Sequence, residues 1–347
     1  MKNLLRWTNL VLVLATLPAF LSPVINPNTI WHFSVLGLGY PFMLLGHVVF
    51  AIFWMVRRDR YVLFSLACIF IGFVHFPGYF GWHFSGESGK VEKEITVLTY
   101  NTAGLKGFGR DTSITEPQRL AQLKTLAKEA GYPGIFCAQE STSDYTVDLL
   151  KAGLGYSHYY QSGGTVIFSK YPFVQQGSLL YNGASFGVWA GLKTPQGVVR
   201  VYSVHLQSNQ MTNTANKIAT KGDLREKQTW RDIRFVLARY KNSAQVRARQ
   251  AQVLARHVAG SPHPVIVCGD FNDPPTSFVY HVLSENLQDS FREKGGGIGA
   301  TFAGKLPALR IDYVLPSRGF KVRSHRIHRH LELSDHFPVS VKLTQGG

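Results

Sequence analysis

The sequence predicts an apolar segment of about three membrane-crossing helices followed by one large α/β domain built as a layered sandwich. Three observations carry that expectation. No Asp, Glu, Lys or Arg occurs from Trp7 to Val56, and none from Tyr61 to Gly86. From residue 94 onward, β-branched runs alternate with amphipathic stretches. Several of those runs are joined by short turns rather than helices, which suits layered sheets better than a purely parallel sheet.

The apolar segment is long enough for spans near 7–25, 35–56 and 61–80, since a bilayer core takes roughly 20 apolar residues per helix. SPVINPN (Ser22 to Asn28) supplies Pro and Asn for a turn between the first two. The first span is the weakest, with Asn9 inside it and Pro18 to kink it. A cleaved signal peptide is the rival reading of residues 1–20: Lys2 and Arg6 precede LVLVLATL, but PAFLSP offers no small-x-small cleavage site. Arg57, Arg58 and Arg60 lie between the second and third spans. The positive-inside rule then puts the N-terminus and this loop in the cytoplasm, and an odd number of spans puts everything after about residue 85 outside it. The expected organisation is a membrane anchor over 1–85, a Gly/Ser linker over 86–93 and a globular domain over 94–347.

Within the globular part, EITVLTYN (94–101) reads as a strand ending at Asn101. Residues 115–131 read as a helix: Thr115 caps it, Pro117 sits in the first turn, Leu120, Leu123, Leu126 and Ala127 share a face, and Gly131 ends it. GIFCAQE is a buried strand ending at Glu140, followed by a helix around 143–152 and a strand in GTVIFSKYP (164–172). TPQG (194–197) turns a hairpin whose second strand ends at His205. Residues 223–259 are helical, with Trp230, Ile233, Leu237 and Tyr240 on one face. VIVCGD is a strand ending at Asp270, TSFVYHVLSE (276–285) a helix capped by Thr276, and ALRIDYVLP (308–316) and SDHFPVSVKL (334–343) are strands.

The formal net charge is +16, and residues 211–259 carry 11 basic side chains against 3 acidic ones. Such an excess suits an anionic partner, whether membrane lipid headgroups or nucleic acid, or else a solvated helix surface; no feature points to a protein partner. Cys137 and Cys268 fall in buried strands and Cys68 in the third apolar run, as small hydrophobes rather than metal ligands, with no Cys-x-x-Cys present. A Cys137–Cys268 disulfide stays open at this level.

The polar residues at strand ends form the candidate site: Asn101, Glu140, His205, Asp270, Asn272, Asp312, Asp335 and His336. Singly, each is an ordinary turn residue. Together they offer carboxylate, amide and imidazole without thiolate, which suits Mg²⁺, or Mn²⁺, bound through oxygen.

TYNTAG, AQES, YSVHLQ, GDFND, RIDYVL and LSDHFPV resemble, in order and spacing over about residues 94–345, the endonuclease/exonuclease/phosphatase superfamily of metal-dependent phosphoesterases. The resemblance implies a deoxyribonuclease I-like four-layer α/β/β/α sandwich. It implies that Glu140, with Asn101 and Asp335, holds the metal. Asp270 would orient or deprotonate the attacking water, and Asn272 would hold a phosphate oxygen. His336, fixed by Asp312, would contact the phosphate, and His205 is the candidate for protonating the leaving oxygen. The inositol-phosphatase signature is missing around RIDYV, and His205 stands where abasic-site nucleases carry Tyr. The expected activity is a membrane-anchored phosphodiesterase acting on a lipid-linked phosphodiester or phospholipid headgroup. An extracytoplasmic nuclease is the alternative, and an inactive membrane-bound binding module is the alternative from a different class.

Overall fold

The computed structural model describes residues 2–83, 93–107, 114–209, 214, 218, 222–223, 225–304, 309–331 and 333–346. Of the expected linker only Lys93 falls within them, and most of 210–224, where the basic segment begins, lies outside the described residues. The chain forms two compact units: Met1–Tyr79 with Ser208–Arg249 and Asp273–Val282, and Phe80–Gln207 with Gln250–Asn272 and Leu283–Gly347.

The first unit holds α1 (Lys2–Ala19), α2 (His32–Val56) and α3 (Val62–Gly72), the last running into a 3-10 turn over Phe73–Gly78. One of these, α2, is long and apolar enough to cross a membrane, where three spans were expected. The correction has a local cause. α1 carries Lys2 and Arg6 in its 18 residues and has Pro18 near its end, while α3 is only 11 residues long. The packing is inverted relative to a water-soluble bundle. Asn9, Thr16, Ser34, His47 and Ser65 are buried, whereas Trp7, Val11, Leu14, Val49, Ile52 and Phe70 are exposed. Inside, Asn9 Nδ2 donates to Ser65 Oγ at 2.9 Å, and His47 Nε2 lies 3.0 Å from Thr16 Oγ1. Asp59, in the α2–α3 loop, pairs with Lys2 at 3.0 Å and Arg6 at 2.8 Å, so the N-terminus of α1 and the basic loop share one end of the bundle.

The second unit holds a two-stranded ribbon of β1 (Phe80–Trp82) with β10 (Gly296–Ile298) and two larger sheets packed face to face. One has six strands in the order β12 (Phe320–Ile327), β13 (Val339–Gln345), β2 (Ile95–Asn101), β3 (Ile135–Gln139), β5 (Thr165–Ser169), β4 (His158–Ser162). The other has five: β11 (Asp312–Pro316), β9 (Val265–Asp270), β8 (Gly197–His205), β7 (Ala184–Thr194), β6 (Phe173–Tyr181). Alternation along β2 shows how the layers form. Ile95 and Val97 point into the core between the sheets, against Val188, Val201 and Ile266; Leu98 and Tyr100 point outward. The outward face is covered by α4 (Glu116–Glu129) and α5 (Asp144–Leu154) through Leu123, Leu126, Val147 and Leu150. On the five-stranded sheet, Tyr202 meets His257 at 2.9 Å, near the end of the long helix α6 (Lys227–Ala259). Strands β4, β6 and β12 were not anticipated. Their exposed, polar faces break the apolar runs that marked the central strands.

Thr115 caps α4 through a capping box with Gln118, as its spacing implied. Cys137 and Cys268 are both unbridged and buried in the inter-sheet core. Gly269 sits at φ +135°, and a Cβ there would lie 2.0 Å from the Val204 carbonyl oxygen. Gly269→Ala is therefore expected to cost more than about 3 kcal/mol, read as thermal unfolding in detergent; a cost below about 1 kcal/mol would contradict the close approach.

Candidate active site

Strand direction assembles the site. β2–β3 and β8–β9 are parallel pairs in the two sheets, and the Asn101–Asp270 bond at 3.0 Å shows that the pairs end at the same edge. Asn101, Glu140, His205 and Asp270 are therefore delivered together. β11 runs antiparallel to β9 with Asp312 opposite Asp270, so Asp312 begins its strand rather than ending it, contrary to the expectation. Only the antiparallel pairing brings a strand's first residue to that edge.

Asp270, 1% exposed, is the hub. Its Oδ2 accepts from Asn101 Nδ2 at 3.0 Å and from Asn272 Nδ2 at 3.2 Å, and lies 3.7 Å from the Nε2 atoms of both His205 and His336. Its Oδ1 accepts the Asn272 backbone N–H at 2.8 Å. Asn272 Nδ2 also donates to the Leu206 carbonyl at 3.0 Å. Asn101 Nδ2 reaches Glu140 Oε1 at 3.0 Å, and His205 Nε2 stands 3.6 Å from the same oxygen. Glu140 has φ 54°, a left-handed backbone that its side chain adopts only where its surroundings hold it, while Asn272, at 53°, is a residue that takes this region readily.

His336 Nδ1 meets Asp312 Oδ2 at 2.9 Å, with both side chains buried. Burial alone would strip the imidazole of its proton, but Asp312, Asp270 and Asp335 hold the proton on and raise the pKa to about 10. Burial pushes the Asp312 carboxyl upward, the His336 charge pulls it back, and Asp270 adds to the rise. The folded state thus binds this proton more tightly than an unfolded chain, whose imidazole titrates near 6.5. Without metal, the stability from this pair is complete below about 6.5 and is lost as pH rises to about 10. His336→Gln is expected to flatten that decline in a series of melting temperatures taken in chelator; an unchanged slope would refute the assignment.

Asp335 joins through its neighbour: Ser334 Oγ donates to the Asn101 carbonyl at 2.7 Å and lies 3.4 Å from Asp335 Oδ1. Seven of the eight predicted residues are thus linked side chain to side chain, and Asp335 adjoins them through Ser334. Sequence reading missed their supports. Thr301 Oγ1 accepts the N–H groups of Ile311 and Asp312, each at 3.0 Å, fixing the start of β11. Phe302 sets its ring edge-on to His336 at 5.2 Å. Gln139 Nε2 donates to Ser203 Oγ at 3.0 Å, tying β3 to β8 one residue below Glu140. Of these, only Gln139 left a signal, as an amide inside an apolar run.

Asp270, Asp312 and His336 offer ligand atoms within 4.8 Å of one another, close enough to hold an ion. Asp312, however, is engaged by the His336 ring and deeply buried. Glu140, with a side chain 42% exposed, and Asp335, partly exposed, leave the water-accessible room that Mg²⁺ requires. The donor set fits a hard divalent cation.

A family model described as the endonuclease/exonuclease/phosphatase family matches residues 98–336. A second, described as a domain of unknown function, matches residues 2–79. No curated protein matches the chain. An endonuclease/exonuclease/phosphatase from Beutenbergia cavernae is 20% identical, over 74% of this chain and 72% of that one, with a TM-score of 0.51. The corresponding protein from Bacteroides vulgatus is 17% identical, over 73% and 100%, with a TM-score of 0.52. A functionally unknown conserved protein from Enterococcus faecalis is 16% identical, over 72% and 100%, also with a TM-score of 0.52. At these identities the likeness is one of fold.

Proposed function

Since the chain belongs to the endonuclease/exonuclease/phosphatase family, whose members are generally phosphoester hydrolases, we propose that it hydrolyses a phosphodiester by in-line attack of water. The observation that carries this reading is the convergence on Asp270. One buried carboxylate lies within 3.7 Å of two imidazoles and within 3.2 Å of two amides, all from different strand ends or loops.

In this reading Asp270 orients the water and takes its proton. Asn272, pinned by the Leu206 carbonyl, would turn the N–H it gives Asp270 toward a non-bridging oxygen when substrate binds. The His336 imidazolium, held charged by Asp312, stabilises the negative charge that builds on the phosphoryl group. His205, partly exposed and lying between Glu140 and Asp270, gives a proton to the leaving oxygen. Glu140, Asn101 and Asp335 hold a divalent ion, Mg²⁺ or Mn²⁺, which when bound supplies charge neutralisation and Lewis acidity at the phosphate.

The inverted burial of α1–α3 supports a lipid setting with α2 as the crossing helix, because exposed Leu, Val, Ile and Phe need hydrocarbon around them and buried polar groups pair with one another. The end bearing Lys2, Arg6, Arg57, Arg58 and Arg60 then faces the cytoplasm. Within the first unit Tyr240 and Gln245 bond the Ser34 and Pro27 carbonyls at the opposite end of α2, which supports an extracytoplasmic setting for the catalytic domain. A phosphodiester carried on a lipid is the substrate class this placement favours. Nucleic acid is the second reading, favoured by the basic segment 211–259.

The test is hydrolysis of bis-p-nitrophenyl phosphate by the full chain in detergent, with Mg²⁺ and with chelator. A panel of phospholipids, sphingomyelin, single- and double-stranded DNA and phosphomonoesters follows. Metal-dependent release of p-nitrophenol is expected; none from the chromogenic diester or any member of the panel would leave a binding module.

A further inference from the structure

We propose that the first half of α6 is an interfacial helix whose outward face lies in the headgroup layer of an anionic bilayer. The inference rests on the membrane reading of α2 and extends it to a second element.

α6 is fastened to the N-terminal end of α2 within one unit. Tyr240 Oη donates to the Ser34 carbonyl at 2.9 Å, Gln245 Nε2 to the Pro27 carbonyl at 3.3 Å, and Asn28 Nδ2 to the Gln245 carbonyl at 3.2 Å. Ser34 is in the first turn of α2, and Trp31 directly precedes that helix. If α2 crosses the bilayer, this end is a membrane–water boundary, where Trp is favoured. At 1.5 Å of rise per residue, Phe235 and Trp230 lie only about 7 and 15 Å along the axis from Tyr240.

The face that α6 turns outward there is unusual. Lys227, Trp230, Arg231, Arg234, Phe235 and Ala238 follow the i, i+3, i+4, i+7, i+8, i+11 spacing of one helix face, and all are exposed. Trp230, expected on the buried face, is 47% exposed and Phe235 50%. At 100° per residue the cations occupy the middle of the face and the two aromatics its edges. The opposite side is committed to the fold: Tyr240, Ala244 and Arg247 are buried, and Arg247 binds Asp273 at 3.0 Å and Asn209 at 2.7 Å. A solvated charged helix accounts for the cations, and Arg239 lies over the Phe235 ring at 5.6 Å, but neither accounts for two large rings about half exposed at the edges of one cationic face. A cationic face edged by aromatic rings is what an anionic headgroup layer accepts: phosphate meets Lys and Arg while Trp and Phe enter the acyl boundary.

The native cysteines are buried, so a thiol-reactive, environment-sensitive fluorophore can be placed at Phe235→Cys in the full chain, with Val49→Cys on the exposed side of α2 as reference. Ala238→Cys repeats the measurement on the same face should Phe235→Cys fail to fold. The labelled protein is reconstituted into liposomes of phosphatidylcholine alone and of an equal mixture with phosphatidylglycerol. Shallow and deep nitroxide lipids serve as quenchers. The position-235 label is expected to be quenched by the shallow nitroxide, by about twofold or more in the anionic mixture, and Arg231→Glu with Arg234→Glu should remove that excess. The Val49 label should be quenched by the deep nitroxide in both lipids. Quenching at Val49 with none at 235 would overturn the interfacial helix and leave the membrane reading standing; no quenching at either would sink both. Equal quenching at 235 in the two lipids would overturn the anionic preference. Displacement of the 235 label by duplex DNA would show the face to be a nucleic-acid surface instead.

Discussion

Asp270→Asn is expected to lower turnover of a phosphodiester by about two to four orders of magnitude, the range ascribed to losing a positioned general base. The substitution keeps size and keeps an acceptor for the Asn272 N–H, so the fold should survive. The new amide faces the donors of Asn101 and Asn272, so a stability cost of about 1–3 kcal/mol is the ceiling expected. A second readout separates charge from shape. Asp270 is one of the carboxylates that keep His336 protonated, so its removal should lower the His336 titration seen by NMR. Activity within about tenfold of the parent, with an unmoved His336, would end the role given to this hub.

Glu140→Gln is expected to raise the Mg²⁺ concentration needed for half-maximal rate by about 100-fold or more and to reduce the rate at saturating metal. Losing a partner of a ligand alone costs about 10- to 100-fold in metal affinity, and Glu140 is assigned here as a ligand itself. With Asp335 it is one of the two open site carboxylates, set at φ 54° just past β3 and reached by Asn101 at 3.0 Å. Asp312→Asn offers the contrast. It leaves the proposed ligands in place but removes the carboxylate charge that holds the proton on His336, so it should depress turnover with little change in metal requirement. If Asp312→Asn shifted the metal requirement and Glu140→Gln did not, the ion would instead be held by the Asp270–Asp312–His336 cluster.

How much of this was legible in the chain depended on how local each signal was. The capping box of α4, the hairpin at TPQG and the buried runs of β2, β3, β8 and β9 announce themselves within a few residues. Edge strands β4, β6 and β12 do not, because exposure on one side dilutes their hydrophobic pattern. The apolar stretch 7–80 read as three spans by composition, yet only α2 has both the length and the hydropathy. Helix breaks after Ala19 and Gly72 are decisions of the turn geometry there, which composition does not contain.

By itself the sequence determined which side chains were available for chemistry and that most of them stood at the ends of strands, since alternating burial and turn residues are encoded in neighbouring positions. It equally determined that the N-terminal region would be unable to present a charged surface. The motif resemblance already implied that Asp312 would hold His336; only the tertiary structure decided that it does so from the start of an antiparallel strand, on the edge it shares with Asp270. It alone showed Thr301 and Ser334 holding that edge, and Trp230 turned outward. Those outcomes depend on strand order, register and which helix face finds a partner, and such pairings between distant segments leave no mark on the local pattern of residues.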